Sequence, residues 1–167
     1  MLYTSSEANK TLRAKNDQID QLITAANKSV VFSVVSADDP EDFRPKYDFL
    51  ESEKQIATLM QQVRTIKHAI NQFNSSTFID ELGMTIDELL VALPQWNKRL
   101  SFYEELLYRR PKALKNSYNG TPVYEYINYN LDDAKQAYDL MAERIADAQV
   151  ILDRINNTIE FDIPIEL

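Results

Sequence analysis

Near the C-terminus of this chain, Leu131, Ala134, Tyr138, Met141, Ile145, Ala148, Leu152 and Ile155 stand alternately three and four residues apart. That spacing returns to one side of an α-helix at every step, so the run predicts a long helix with one apolar seam of heptad type. Asn130 is a suitable N-cap, and Asp132 and Asp133 fall in the first turn, where the helix dipole favours negative charge. The helix is expected from Leu131 to Asn156.

Three further runs have the same character. Ile56, Leu59, Val63, Ile66, Ile70 and Phe73 mark a helix from Lys46 to Asn74, with Asp48-Phe49-Leu50-Glu51 resembling a capping box. Ile86, Leu89, Leu93, Trp96, Leu100, Tyr103 and Leu107 mark another from Thr85 to Arg110, opened by the capping box Thr85-Ile86-Asp87-Glu88 and stopped by Pro111. Pro94 lies inside this run and removes the amide that would bond to Leu90, but the apolar register passes it unshifted, so a kink is expected rather than a break. A first helix, Thr4 to Asn27, opens on Thr4-Ser5-Ser6-Glu7 and continues through Leu12, Ile19, Leu22 and Ala26, with Lys15 interrupting its seam. Only two glycines occur in 167 residues, which leaves no Gly-rich phosphate loop and suits long helices.

Two segments between helices read as strands. Val30 to Val35 is rich in β-branched residues, and Pro122 to Tyr129 follows the turn pair Asn119-Gly120. In an up-down-up-down arrangement both would emerge at one end and pair there. The expected fold is therefore mainly α: an antiparallel four-helix bundle of long heptad-patterned helices with a small two-stranded β ribbon at one end. Residues 1–167 read as one domain, with helix-strand-helix halves at 1–74 and 84–157.

Eighteen basic against 26 acidic side chains give a net charge of −8, which disfavours nucleic acid. No stretch approaches the length of a membrane span, and Met1 to Lys10 lacks the basic start and apolar run of a secretory signal, so a cytoplasmic protein is expected. The chain has no cysteine and one histidine, His68, which falls on the outward part of its helix. No metal centre, cofactor or catalytic constellation is expected, because a di-iron bundle would need two Glu-x-x-His pairs. Adjacent acids such as Glu104-Glu105 point about 100° apart on a helix and do not converge.

Against the acidic background, Arg109, Arg110, Lys112, Lys115, Tyr118, Tyr124, Tyr126 and Tyr129 form a basic, tyrosine-rich stretch. Cations of this kind hold an anion, and tyrosines stack on flat ligands or build interfaces. Arg109, Arg110, Lys112, Tyr124, Tyr126 and Tyr129 are thus the candidate ligand or interface residues. The two strands carry apolar residues on both faces, of which a bundle covers one, so Val31, Val35 and Tyr126 are the candidate contacts of a homo-oligomer, with a two-fold dimer as the simplest form.

Ile70-Asn71, Asn74-Ser75-Ser76-Thr77 and Gly83-Met84-Thr85-Ile86-Asp87-Glu88-Leu89, followed by a long helix and an aromatic strand, resemble a family of small uncharacterised bacterial helical proteins, some labelled septicolysin. The resemblance covers roughly Lys46 to Leu167 and rests on caps and seams. It implies the helical fold and carries no catalytic residue; its label implies a membrane-active toxin, for which the chain lacks long amphipathic β-segments. Three functional readings follow: a non-catalytic helical interaction or assembly protein first, a small-anion or nucleotide-binding protein, conceivably an enzyme, second, and a membrane-active toxin last.

Overall fold

The computed structural model describes residues 1–165, with the side chain of Tyr118 outside that description. Helix accounts for 66% of the chain, and the strands are short antiparallel pairs, so the mainly α class is observed. Elements follow in the order β1 (Leu2–Thr4), α1 (Ser5–Ser29), α2 (Pro40–Phe43), α3 (Phe49–Ser76), β2 (Phe78–Ile79), β3 (Met84–Thr85), α4 (Ile86–Tyr108), β4 (Lys112–Tyr118), β5 (Thr121–Tyr126), α5 (Leu131–Thr158) and β6 (Glu160–Asp162). They form two compact units, Met1–Asn74 with Ile155–Leu167, and Ser75–Arg154.

Each long helix begins where a side chain can satisfy its first amides. Thr4 and Glu7 form a reciprocal box, the Glu7 amide donating to Thr4 Oγ1 at 3.3 Å and the Thr4 amide to Glu7 Oε2 at 2.9 Å. Thr85 and Glu88 repeat it at 3.2 and 2.7 Å. Asp48 Oδ1 accepts the Glu51 amide at 3.0 Å, and Asn130 Oδ1 accepts the Asp132 amide at 2.7 Å. An unexpected short helix, α2, begins the same way, with the Asp39 carboxylate accepting from the Glu41 amide and Pro40 in the first turn.

In the first unit, Ala8, Ile66, Ala69, Ile70 and Ile163 form a buried cluster, with Tyr3, Leu12, Phe161 and Ile165 packed against it. Ile163 arrives there because β6 pairs with β1, in the register Leu2↔Asp162, Tyr3↔Phe161 and Thr4↔Glu160. Phe161 stacks on Phe73 of α3, with ring centroids 4.4 Å apart. The strand expected at Val30–Val35 does not form. This segment is irregular, with Phe32 and Val34 half-buried and Val31 and Val35 exposed. β-branched residues favour an extended backbone, but a strand also needs a hydrogen-bonding neighbour, and the expected partner, the strand after Gly120, pairs with β4 instead.

The second unit buries Ile79, Ile86, Leu89, Trp96, Ala134, Met141, Ile145 and Ala148. Trp96 of α4 lies against α5, where the Arg144 guanidinium sits 4.1 Å over its ring. Helix α4 runs unbroken through Pro94. Between α3 and α4, the Leu82 and Gly83 amides donate to the Ile79 carbonyl, and Gly83 takes the left-handed conformation that closes the β2–β3 turn.

Two outcomes follow. Replacing Ile145 by Asp should destabilise the chain by on the order of 3 kcal/mol or more, since it buries an unpaired carboxylate, whereas Ile145→Val should cost about 1 kcal/mol; denaturant melts showing no difference between the two would remove Ile145 from the core. The second concerns acid. The Glu7 and Glu88 carboxyls are held below the ordinary glutamate range, first by the backbone amide of Thr4 or Thr85 and then by its hydroxyl. A lowered folded pKa supplies stability that is present above the unfolded value and is lost as pH falls through the folded one. Carboxyl NMR titrations should therefore show both midpoints below the ordinary glutamate range, with the first turns of α1 and α4 loosening as they are crossed; ordinary midpoints would show that the boxes are open in solution.

Candidate functional site

The basic and tyrosine-rich stretch becomes a hairpin set on two helix ends. Helix α4 stops at Tyr108; Arg109 is extended, with its amide donating to the Leu106 carbonyl at 3.2 Å. Pro111 has no amide to continue the helix, and its carbonyl accepts the Ile127 amide at 3.3 Å, closing the base of the hairpin. At the tip, Asn119 and Gly120 both have positive φ, 49° and 78°, as a two-residue hairpin turn requires. Pairing runs Lys112↔Tyr126, Ala113↔Glu125, Leu114↔Tyr124, Asn116↔Val123, Ser117↔Pro122 and Tyr118↔Thr121, with a bulge at Lys115.

Alternation sorts the side chains into two faces. On one face Lys112, Leu114, Tyr124 and Tyr126 are neighbours, and the Lys112 ammonium sits 4.1 Å from the Tyr124 ring centroid and 5.6 Å from that of Tyr126. Leu114, Tyr124 and Tyr126 are 63%, 44% and 62% exposed. On the other face are Ala113 and Glu125, whose carboxylate pairs with Lys115 at 3.3 Å.

That second face looks onto a solvent-open cleft of about 350 Å³. Leu106, Arg109 and Arg110 line it from the end of α4, Ala113, Glu125 and Tyr126 from the hairpin, and Ile127, Asn128 and Tyr129 from the connection to α5. Tyr129 is half-buried, and its hydroxyl donates to the Leu106 carbonyl at 2.6 Å.

Of the six ligand candidates read from sequence, Arg109, Arg110, Tyr126 and Tyr129 line this cleft, whereas Lys112 and Tyr124 pair on the hairpin's far face. Tyr129 is a latch between the connection and α4 as well as a wall. The side chain of Tyr118 lies outside the described residues. Val31 and Val35 belong to the first unit, so the ribbon expected to unite them with Tyr126 is not present. Leu106, Ala113, Glu125, Ile127 and Asn128 were not among the expected site residues; the Pro111 stop and the Asn119-Gly120 turn, which fold β4 back on β5, were the signal for them. His68 is exposed, and among the described residues no three His, Asp or Glu side chains gather as metal ligands. No helix among them is long and apolar enough to cross a membrane.

No family model matches this chain, and neither does any curated protein. Among solved structures it is similar to the crystal structure of a functionally unknown conserved protein from Corynebacterium diphtheriae, with a TM-score of 0.61 and 18% identity over 97% of this chain and 100% of that one. At that identity the likeness is one of fold. A conserved bacterial protein of unknown function agrees with the bacterial family resemblance, and its description does not carry the septicolysin label.

Tyr129→Phe should keep the ring and remove only the donor to Leu106, which still accepts from Arg109. A loss of about 1 kcal/mol is expected, with amide shifts at Arg109 and Ile127. Unchanged stability and unchanged shifts would show that the latch is not closed in solution.

Proposed function

We propose that this chain is a non-catalytic helical interaction protein that assembles as a homodimer through the β4–β5 hairpin. The observation that carries this reading is the exposed face bearing Leu114, Tyr124 and Tyr126 on a hairpin whose β5 is exposed at every position. Two strands alone are marginal in water, and apolar side chains over open edges invite further pairing. A second copy is the favoured occupant for a geometric reason. When a strand meets its own copy across a two-fold axis perpendicular to it, the two run antiparallel, which extends an antiparallel hairpin into a four-stranded sheet without a new kind of contact. Tyrosines suit such a contact, with rings to bury and hydroxyls to bond at its rim.

The scaffold in this reading is an antiparallel bundle of heptad-patterned helices. Its support is that the seam positions are buried or half-buried in every long helix, from Ile19 and Leu22 to Ile145 and Ala148. Val31 and Val35 offer a second exposed apolar patch for association.

Light scattering across concentrations tests the assembly. The wild type should be a dimer at tens of micromolar, corresponding to a dissociation constant in the micromolar range or tighter. Leu114→Lys and Tyr126→Glu should each give a folded monomer of unchanged helicity, and Val31→Glu should remain a dimer. A wild-type monomer would sink the proposal, and a monomer produced by Val31→Glu alone would move the interface to the first unit.

A further inference from the structure

The cleft on the other side of the hairpin gathers cations that the fold does not use. Arginines at a helix C-terminus can simply answer the dipole. Here the Leu106 carbonyl already accepts the Arg109 amide and the Tyr129 hydroxyl, so neither guanidinium is needed for it. Among the described residues the Arg109 and Arg110 side chains have no hydrogen bond or ion pair, and the Asn128 side chain has no hydrogen bond. The neighbouring cations differ: Lys112 lies over two tyrosine rings and Lys115 holds Glu125. The acid lining the cleft is therefore matched, and two guanidiniums remain over in a chain of net charge −8.

We infer that this cleft binds a small phosphate monoester with a compact, flat apolar body. Guanidinium is planar and presents parallel N–H donors that fit a phosphate in bidentate fashion, so Arg109 and Arg110 supply the headgroup contacts. Leu106, Ala113 and Ile127 give apolar walls, Tyr129 an aromatic one held in place by its hydroxyl, and Asn128 an amide that both donates and accepts. The volume of about 350 Å³ sits at the small end of ligand sites, which suits one ring and one headgroup rather than a dinucleotide or a nucleic-acid strand. The inference shares only Tyr126 with the proposed dimer face, and its test rests on Arg109, Arg110, Asn128 and Tyr129, which that face does not include.

The test is an NMR titration of the full chain with phenyl phosphate, alongside inorganic phosphate as headgroup alone. Phenyl phosphate should shift the amides of Arg109, Arg110, Asn128 and Tyr129 saturably, with a dissociation constant on the order of 1 mM or below, and inorganic phosphate should bind at least about tenfold more weakly. Arg109→Gln with Arg110→Gln should weaken phenyl phosphate binding by about tenfold or more at unchanged helicity, while the double Lys variant, which keeps charge and loses the fork, should fall between. Shifts that fail to saturate by about 20 mM, or a Gln variant that binds like the wild type, would overturn the site. Inorganic phosphate binding as tightly as phenyl phosphate would overturn the assignment of an organic ligand.

Discussion

A helix of 25 residues keeps its form in water only while its apolar stripe is covered, and in this chain that requirement falls on four helices at once. Buried positions recur at three- and four-residue steps, as in Ile66, Ile70 and Phe73, or Met141, Ile145 and Ala148. Everything else is fitted around these stripes. The caps decide where each helix starts, and the connections must then bridge fixed ends. The β4–β5 hairpin exists because the 22 residues between Tyr108 and Leu131 have two helix ends to join and carry a turn pair at their middle.

The hairpin is where the two functional readings meet. A ribbon with helices behind it presents one face to solvent and the other to the groove at its root, and the side chains divide accordingly. Aromatic rings and a shared lysine occupy the outer face, while free guanidiniums and an apolar wall occupy the inner one. The proposed association and the proposed ligand site then draw largely on different side chains around one element, with Tyr126 common to both. Their common dependence is the base, where the Ile127–Pro111 and Tyr129–Leu106 hydrogen bonds hold the ribbon to α4.

The helices were legible because a long periodic signal survives local noise: all four appear within a few residues of their expected ends, and Thr4, Asp48, Thr85 and Asn130 cap them as read. Short strands were not, since a ladder depends on its partner. Val30 to Val35 has the composition of a strand and no neighbour to pair with, whereas Lys112 to Tyr118, with Lys, Asn and Ser, becomes one because a turn delivers β5 beside it. A true signal was also overlooked: Ile159, Phe161, Ile163 and Ile165 alternate with other residues, the period of the strand β6 and its continuation. The ligand candidates were legible because they lie close in sequence, but which face each would occupy depended on the register of a pairing that composition does not fix. The role of Tyr129 as a latch needed the position of a single carbonyl.

Pro94 is placed where α4 can best tolerate it. Both the proline and Leu90, whose carbonyl has lost its donor, are on exposed positions, so water can take up the vacant lone pair where it would otherwise cost free energy. Backbone bonds on the wet side of a helix lengthen and those on the dry side stay short, which curves the axis with its convex side to solvent. The residue that looks like an interruption thus lies opposite the seam: Leu89, Leu93 and Trp96 continue past it on the covered side, and the ladder gives up a bond only where water can replace it.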